Sequence, residues 1–119
     1  MPSGPVTEPS PGPSPPLQEQ VEKPEEPSTR ALASLRLTER ARRLLAMNQP
    51  DEAIRTLERA LNLNPDNGKN YYYLAEAWIQ KGKRDQAAEF NRLAGIYLQD
   101  DAAWLRMVER QRERIEDSF

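Results

Sequence analysis

The chain has 119 residues, with 17 basic and 19 acidic side chains, a net charge of −2, and neither cysteine nor histidine. Those absences exclude disulfides, thiolate and imidazole metal ligands, Cys–His and Ser–His catalysis and a histidine pH switch, and no metal or other cofactor is expected. The near-neutral balance lacks the basic excess of a nucleic-acid binder, and no apolar run reaches the roughly 18–20 residues that span a bilayer.

Residues 1–28 hold nine of the eleven prolines, with five acids (Glu8, Glu19, Glu22, Glu25, Glu26) and one base (Lys23), a net −4; residues 29–119 carry +2. Val6, Leu17 and Val21 are the sizeable apolar residues of this segment. Three such side chains cannot offset chain entropy, so a disordered Pro/Ser/Glu-rich linker is expected. Fully extended as polyproline II it would reach roughly 85 Å, which suits a spacer. Pro13-Ser14-Pro15-Pro16 lacks the flanking base that proline-rich ligands usually carry. No basic stretch followed by an apolar one marks a signal peptide in the sequence as given.

Residues 29–119 read as one all-α domain of antiparallel helical hairpins. Ser28 or Thr29 caps a first helix that runs to about Met47, with Leu32, Leu35, Leu37, Ala41, Leu44 and Leu45 at helical spacing. Asn48 then stands where a left-handed residue is wanted. Pro50 opens the second helix, with Asp51 and Glu52 favourable to its dipole. Ala53, Ile54, Leu57, Ala60 and Leu61 give it an apolar face, and Asn64-Pro65-Asp66-Asn67-Gly68 stops it. A third helix is predicted over about Lys69–Lys81, a fourth over about Arg84–Leu98, and a fifth from Asp100 or Asp101. The fifth is apolar at Trp104, Leu105, Val108 and Ile115 and charged elsewhere, as the last helix of a stacked array should be. Nothing reads as strand.

Leu37–Asn67 aligns with Tyr71–Asp101 at a period of 34 residues. Ala41 falls on Ala75, Leu44 on Trp78, Asn48 on Gly82, Asp51 on Asp85, Ala53 on Ala87 and Ala60 on Ala94. A fixed period of this length marks supersecondary units that stack to bury their apolar faces. The pattern resembles the tetratricopeptide repeat. Its alternating large and small residues fall on Leu37, Ala41 and Leu44, then on Tyr71, Ala75 and Trp78. Its second-helix alanines fall on Ala53, Ala60, Ala87 and Ala94, and its closing proline on Pro65. Repeat one is therefore residues 34–67, repeat two 68–101, and a capping helix follows over 101–117. Arg40, Asn91 (opposite Leu57) and Gln99 depart from the pattern, so repeat two is expected to degenerate toward its end. Two repeats and a cap make a short array, since about three units are normally needed. Extra turns at Arg30–Ala33 or weak self-association through an exposed end would compensate.

The resemblance implies a non-catalytic module that holds a protein partner in a concave groove lined by the first helix of each repeat. The implied groove residues are Leu35, Thr38, Arg42 and Leu45, then Lys69, Tyr72, Glu76 and Ile79, with Ala103, Arg106 and Arg110 from the cap. Successive residues turn by about 100°, so Tyr71 is assigned to the core, Tyr72 to the groove and Tyr73 to its rim. The carboxylate clamp of chaperone-binding repeats is not present at Thr38, Glu39, Arg42, Tyr73, Ala103 and Met107. No enzyme is expected, because Glu39, Glu52, Glu58 and Asp85 read as helix-surface charges.

A repeat domain behind a proline-rich acidic segment is similar in layout to small tetratricopeptide lipoproteins of Gram-negative bacteria. That layout implies the soluble part of a periplasmic protein anchored to the outer membrane through a lipidated cysteine absent from this sequence. Its partner would be a bifunctional penicillin-binding protein, a peptidoglycan synthase that it activates. The alternative is a cytosolic adaptor or assembly factor with the same groove. Neither implies nucleic-acid binding.

Overall fold

The computed structural model describes residues 28–119. Five helices follow one another: α1 (Thr29–Ala46), α2 (Pro50–Leu63), α3 (Gly68–Gln80), α4 (Arg84–Tyr97) and α5 (Ala102–Ser118). No strand occurs among the described residues. Expectations placed on residues 1–27 lie outside them.

Helix boundaries follow from local chemistry. Ser28 accepts from the Ala31 N–H at 3.0 Å, Asn67 from Lys69 at 3.0 Å, and Asp101 from Trp104 at 3.2 Å. These three caps satisfy donors that have no partner inside the helix. α2 and α4 start without a side-chain cap and rely on acids in the first turn: Asp51 and Glu52 after Pro50, and Asp85.

The two hairpins close with one motif used twice. Asn48 has φ 59° and Gly82 φ 73°. Around Asn48, the Gln49 N–H donates to the Leu44 carbonyl at 2.9 Å and Asn48 to Leu45 at 3.0 Å. Around Gly82, Lys83 donates to Trp78 at 3.0 Å and Gly82 to Ile79 at 2.9 Å. This is the Schellman pairing, and it requires a left-handed residue at that one position. The 34-residue period is thus repeated in backbone conformation.

The alanines that carry the period lie inside the helix packing. Ala41, Ala53, Ala60, Ala75, Ala87 and Ala94 are fully buried. One apolar cluster joins Ala41 and Leu44 of α1, Ile54 and Leu57 of α2, and Leu74 and Ala77 of α3, with Phe90 of α4 packed against it. A second joins Ala94, Leu98 and Val108 with Tyr72 and Trp104 beside them. Gly68 is a glycine because of this stacking, since a Cβ there would lie 2.6 Å from Leu98 Cγ.

Two buried polar latches sit at the seams between repeats. At the first, Ser34 Oγ donates to the Ala60 carbonyl at 2.9 Å, and Thr38 Oγ1 donates to the Ser34 carbonyl at 3.0 Å. Thr38 also meets the Asn70 side chain at 2.5 Å. With its one proton on Ser34, the hydroxyl accepts from the Asn70 amide, turned so that its otherwise unpartnered nitrogen faces Thr38. At the second seam, Asn91 Nδ2 donates to the Val108 carbonyl and to Gln111 Oε1, both at 2.9 Å. Gln111 Nε2 donates to the Tyr72 carbonyl at 3.0 Å and to Glu76 Oε2 at 2.8 Å.

These latches correct two expectations. Asn91 is not a sign of decay in repeat two: it is buried and ties α4 to α5. Thr38 is 4% exposed and cannot line a groove, because it is spent on the α1–α3 seam. Tyr71 is only half-buried. It packs against both apolar clusters, as expected of a core position, while its ring also stacks on Tyr97 at 5.0 Å and its hydroxyl donates to the Pro65 carbonyl at 3.3 Å. Leu32 and Leu35 also differ from the apolar stripe expected of α1, as both side chains stand exposed.

Candidate partner-binding groove

α3 lies between α1 and α5, and the three present a common face. Arg42, Leu45 and Ala46 of α1, Tyr72, Tyr73 and Glu76 of α3, and Met107 and Arg114 of α5 line a groove of about 340 Å³. Tyr72 and Tyr73 are neighbours in sequence, about 100° apart around α3, so each leans toward a different flanking helix. Tyr72 meets Trp104 of α5 edge-on at 5.4 Å, and Arg42 of α1 lies over the Tyr73 ring at 5.8 Å. The two tyrosines are themselves edge-to-face at 5.4 Å.

Burial is the main cause that raises the phenol pKa values of Tyr72 and Tyr73, so both are neutral hydrogen-bonding groups at pH 7. Glu76 is the charged centre. Arg114 donates Nη1 to Glu76 Oε2 at 2.6 Å and Nη2 to Oε1 at 3.2 Å, and Gln111 supplies the third donor. The hydrogen bond to Glu76 is the first cause of the raised Arg114 pKa. Across the groove, Arg42 Nη1 donates to Glu39 at 3.0 Å, and that bond raises its pKa. Each wall thus carries a half-exposed guanidinium held in place by its own carboxylate.

Of the residues assigned from sequence, Arg42, Leu45, Tyr72, Tyr73 and Glu76 come together here. Thr38 does not, being buried beneath the surface. Lys69 sits at the start of α3 with its Nζ 5.1 Å from the Trp104 ring centroid. Leu35 is exposed on α1, Ile79 is half-buried toward the end of α3, and Arg106 and Arg110 are exposed on α5; none lines the groove. Among the described residues, neither Arg106 nor Arg110 is in an ion pair. Sequence reasoning missed Ala46, Arg114 and the buried Gln111 as site residues, and placed Met107 only among the clamp positions. Continuing the cap residues Arg106 and Arg110 one helical turn along α5 leads to Arg114, so that signal was available.

A family model described as tetratricopeptide repeat matches residues 44–110, more than half of the chain. The chain belongs to the tetratricopeptide repeat family. No curated protein and no solved structure matches it. The match runs from the last turn of α1 into α5, so it covers both hairpin turns and the seam of α5 with the repeats. Tetratricopeptide repeats are protein–protein interaction modules and are generally non-catalytic. In this chain the groove fits that role. Its aromatic floor and fixed guanidinium walls are the side-chain types enriched at binding hot spots, and its carboxylate is already fully engaged.

Proposed function

We propose that the chain binds a segment of a partner protein in the groove of α1, α3 and α5. The observation that carries this is the pair of half-exposed guanidinium groups, Arg42 and Arg114, facing each other across Tyr72 and Tyr73. A large apolar side chain of the partner sits on the tyrosines. Acidic residues beside it meet Arg42 and, further along α5, Arg106 and Arg110.

The finer assignment rests on layout. A proline-rich acidic segment ahead of a short repeat domain suits a tether that lets an anchored domain reach its partner. On that basis the chain is the soluble part of a periplasmic lipoprotein of the outer membrane, and the partner is a bifunctional penicillin-binding protein whose peptidoglycan synthesis it stimulates.

The test has two arms. Affinity for the soluble periplasmic part of such a synthase is measured for the native chain and for Tyr72→Ala with Arg42→Glu. Loss of binding with unchanged helicity is expected. Unchanged affinity in the double variant would rule out the groove. In the second arm, a groove that binds acidic apolar peptides but not the synthase would remove the cell-wall assignment and leave the cytosolic adaptor.

A further inference from the structure

A second cleft lies on the other side of α5. It holds about 450 Å³ between α4 and α5, with Ala88, Gly95, Leu105, Val108 and Ile115 as its floor. We infer that this cleft is a docking site for an amphipathic helix of a partner protein, which completes a third hairpin with α5.

The period identifies what the cleft is built to receive. One repeat earlier, Ile54 and Leu61 of α2 stand at the positions of Ala88 and Gly95. Tyr71 and Leu74 of α3 stand at those of Leu105 and Val108. There the second helix of the next hairpin covers the seam: Phe90 of α4 packs onto the cluster that contains Ile54, Leu57 and Leu74. No described helix does this for α4 and α5.

The floor has also been cut back. Ile54 is buried and its counterpart Ala88 is exposed, while Leu61 is replaced by a glycine. Gly95 has an ordinary backbone conformation, and a Cβ added there would stand 3.7 Å from Val108, a normal contact. Nothing inside the described chain therefore requires this glycine, although glycine inside a helix is destabilising relative to alanine. The space it leaves fits a bulky anchor side chain carried by an incoming helix.

Charge specifies the incoming helix further. Glu109 occupies the position of the buried Ala75, and Arg112 that of Trp78, so a wholly apolar helix would strand charge beneath it. Arg92 is held by Glu89 at 2.7 Å and Arg112 lies 3.7 Å from Glu116. Arg84 on one wall and Glu109 on the other have no ion pair among the described residues. The partner helix thus presents a large apolar anchor to the floor, an acid to Arg84 and a base to Glu109. The cleft faces away from the tyrosine groove, so the two sites stand or fall separately.

The probe is a side-chain-stapled helical peptide of residues 84–97, the chain's own second-type helix, with its acids near the start, Phe90 as anchor and Arg92 beyond. Fluorescence anisotropy with the full chain is expected to give saturable binding. Phe90→Ala in the peptide, and separately Gly95→Leu or Glu109→Lys in the protein, should each weaken it about tenfold or more. Gly95→Ala should raise the melting temperature of the free chain, which shows that the fold tolerates a side chain there. Arg42→Glu, a groove variant on α1 that touches neither α4 nor α5, should leave peptide affinity unchanged. Absence of saturable binding overturns the inference, as does binding that Gly95→Leu leaves intact or the groove variant abolishes. A dimer in sedimentation that Gly95→Leu dissociates would also overturn it, by giving the cleft to a second copy.

Discussion

Gln111→Ala should release α5 from the array. The side chain is fully buried and makes three hydrogen bonds: one from Asn91, one to the Tyr72 carbonyl and one to the Glu76 carboxylate. At about 1 kcal/mol for each neutral bond and about 2 kcal/mol for the charged one, the loss is about 4 kcal/mol. Arg114 still serves Glu76, and water reaches the Tyr72 carbonyl once the seam loosens, so about 3 kcal/mol is expected. That is a large share of the roughly 5–13 kcal/mol of a domain this size. The loss falls on one helix, so it should appear as local opening before global unfolding. Trp104 lies on α5 against Tyr72 and reports the seam directly. Urea titration followed by tryptophan emission should show a shifted transition, with faster amide exchange in α5 than in α1–α3. Gln111→Glu should be worse than Gln111→Ala at pH 7. The new carboxylate cannot donate to Tyr72 and faces Glu76, and part of the loss should return as acid protonates it. A Gln111→Ala chain within about 0.5 kcal/mol of native stability would refute the latch.

Three further outcomes are expected. Gly68→Ala should cost about 1–3 kcal/mol in denaturant titration, because its Cβ would meet Leu98 Cγ at 2.6 Å and Tyr97 Cβ at 2.9 Å. Asn48→Gly should leave thermal stability nearly unchanged while Asn48→Val lowers it by about 1–2 kcal/mol, since φ is 59° there. Tyr71, Tyr72 and Tyr73 have pKa values raised above 10.0, with burial as the first cause. Their folded phenols hold protons more tightly than unfolded ones, so this contribution is complete below pH 10.0 and is lost as pH rises through the folded values. Phenolate absorbance and circular dichroism, followed together, should show ionisation and unfolding coinciding above pH 10.0.

Much of the fold could be read from sequence because its determinants are local. Ser28, Asn48, Pro50 and Gly82 act on backbone groups within a few residues, and the buried alanines repeat at a fixed spacing. The polar latches act across seams. Asn91 and Gln111 lie 20 residues apart, and Thr38 and Asn70 lie 32 apart. Taken singly, each has the composition of a solvent-facing helix position, and only their meeting in space turns them inward. Family spacing alone therefore points Thr38 at the groove and makes Asn91 a gap in the apolar pattern, although both are buried at seams. The groove divides in the same way. Arg42, Leu45, Tyr72 and Glu76 follow from family spacing on helices whose rotation the alanines fix. Arg114 continues the spacing of Arg106 and Arg110 along α5, but its meeting with Glu76 depends on how Gln111 seats α5 beside α3.

The two latches also bear on why this short array holds together. A repeat array normally gains stability by adding apolar interfaces, and two hairpins with one further helix have few. Buried hydrogen bonds add little net energy once desolvation is counted, but they penalise every wrong register, because a shifted seam strands their donors. Gln111 fits one placement of α5, the one that brings it to Tyr72 and Glu76. The same placement sets Arg114 on Glu76 and closes the wall of the groove. Had the α4–α5 seam been purely apolar, α5 could slide along its alanines and valine without stranding a polar group, and the guanidinium facing Arg42 would slide with it. The residue that fixes the cap therefore also fixes the spacing of the two arginines that a partner would meet.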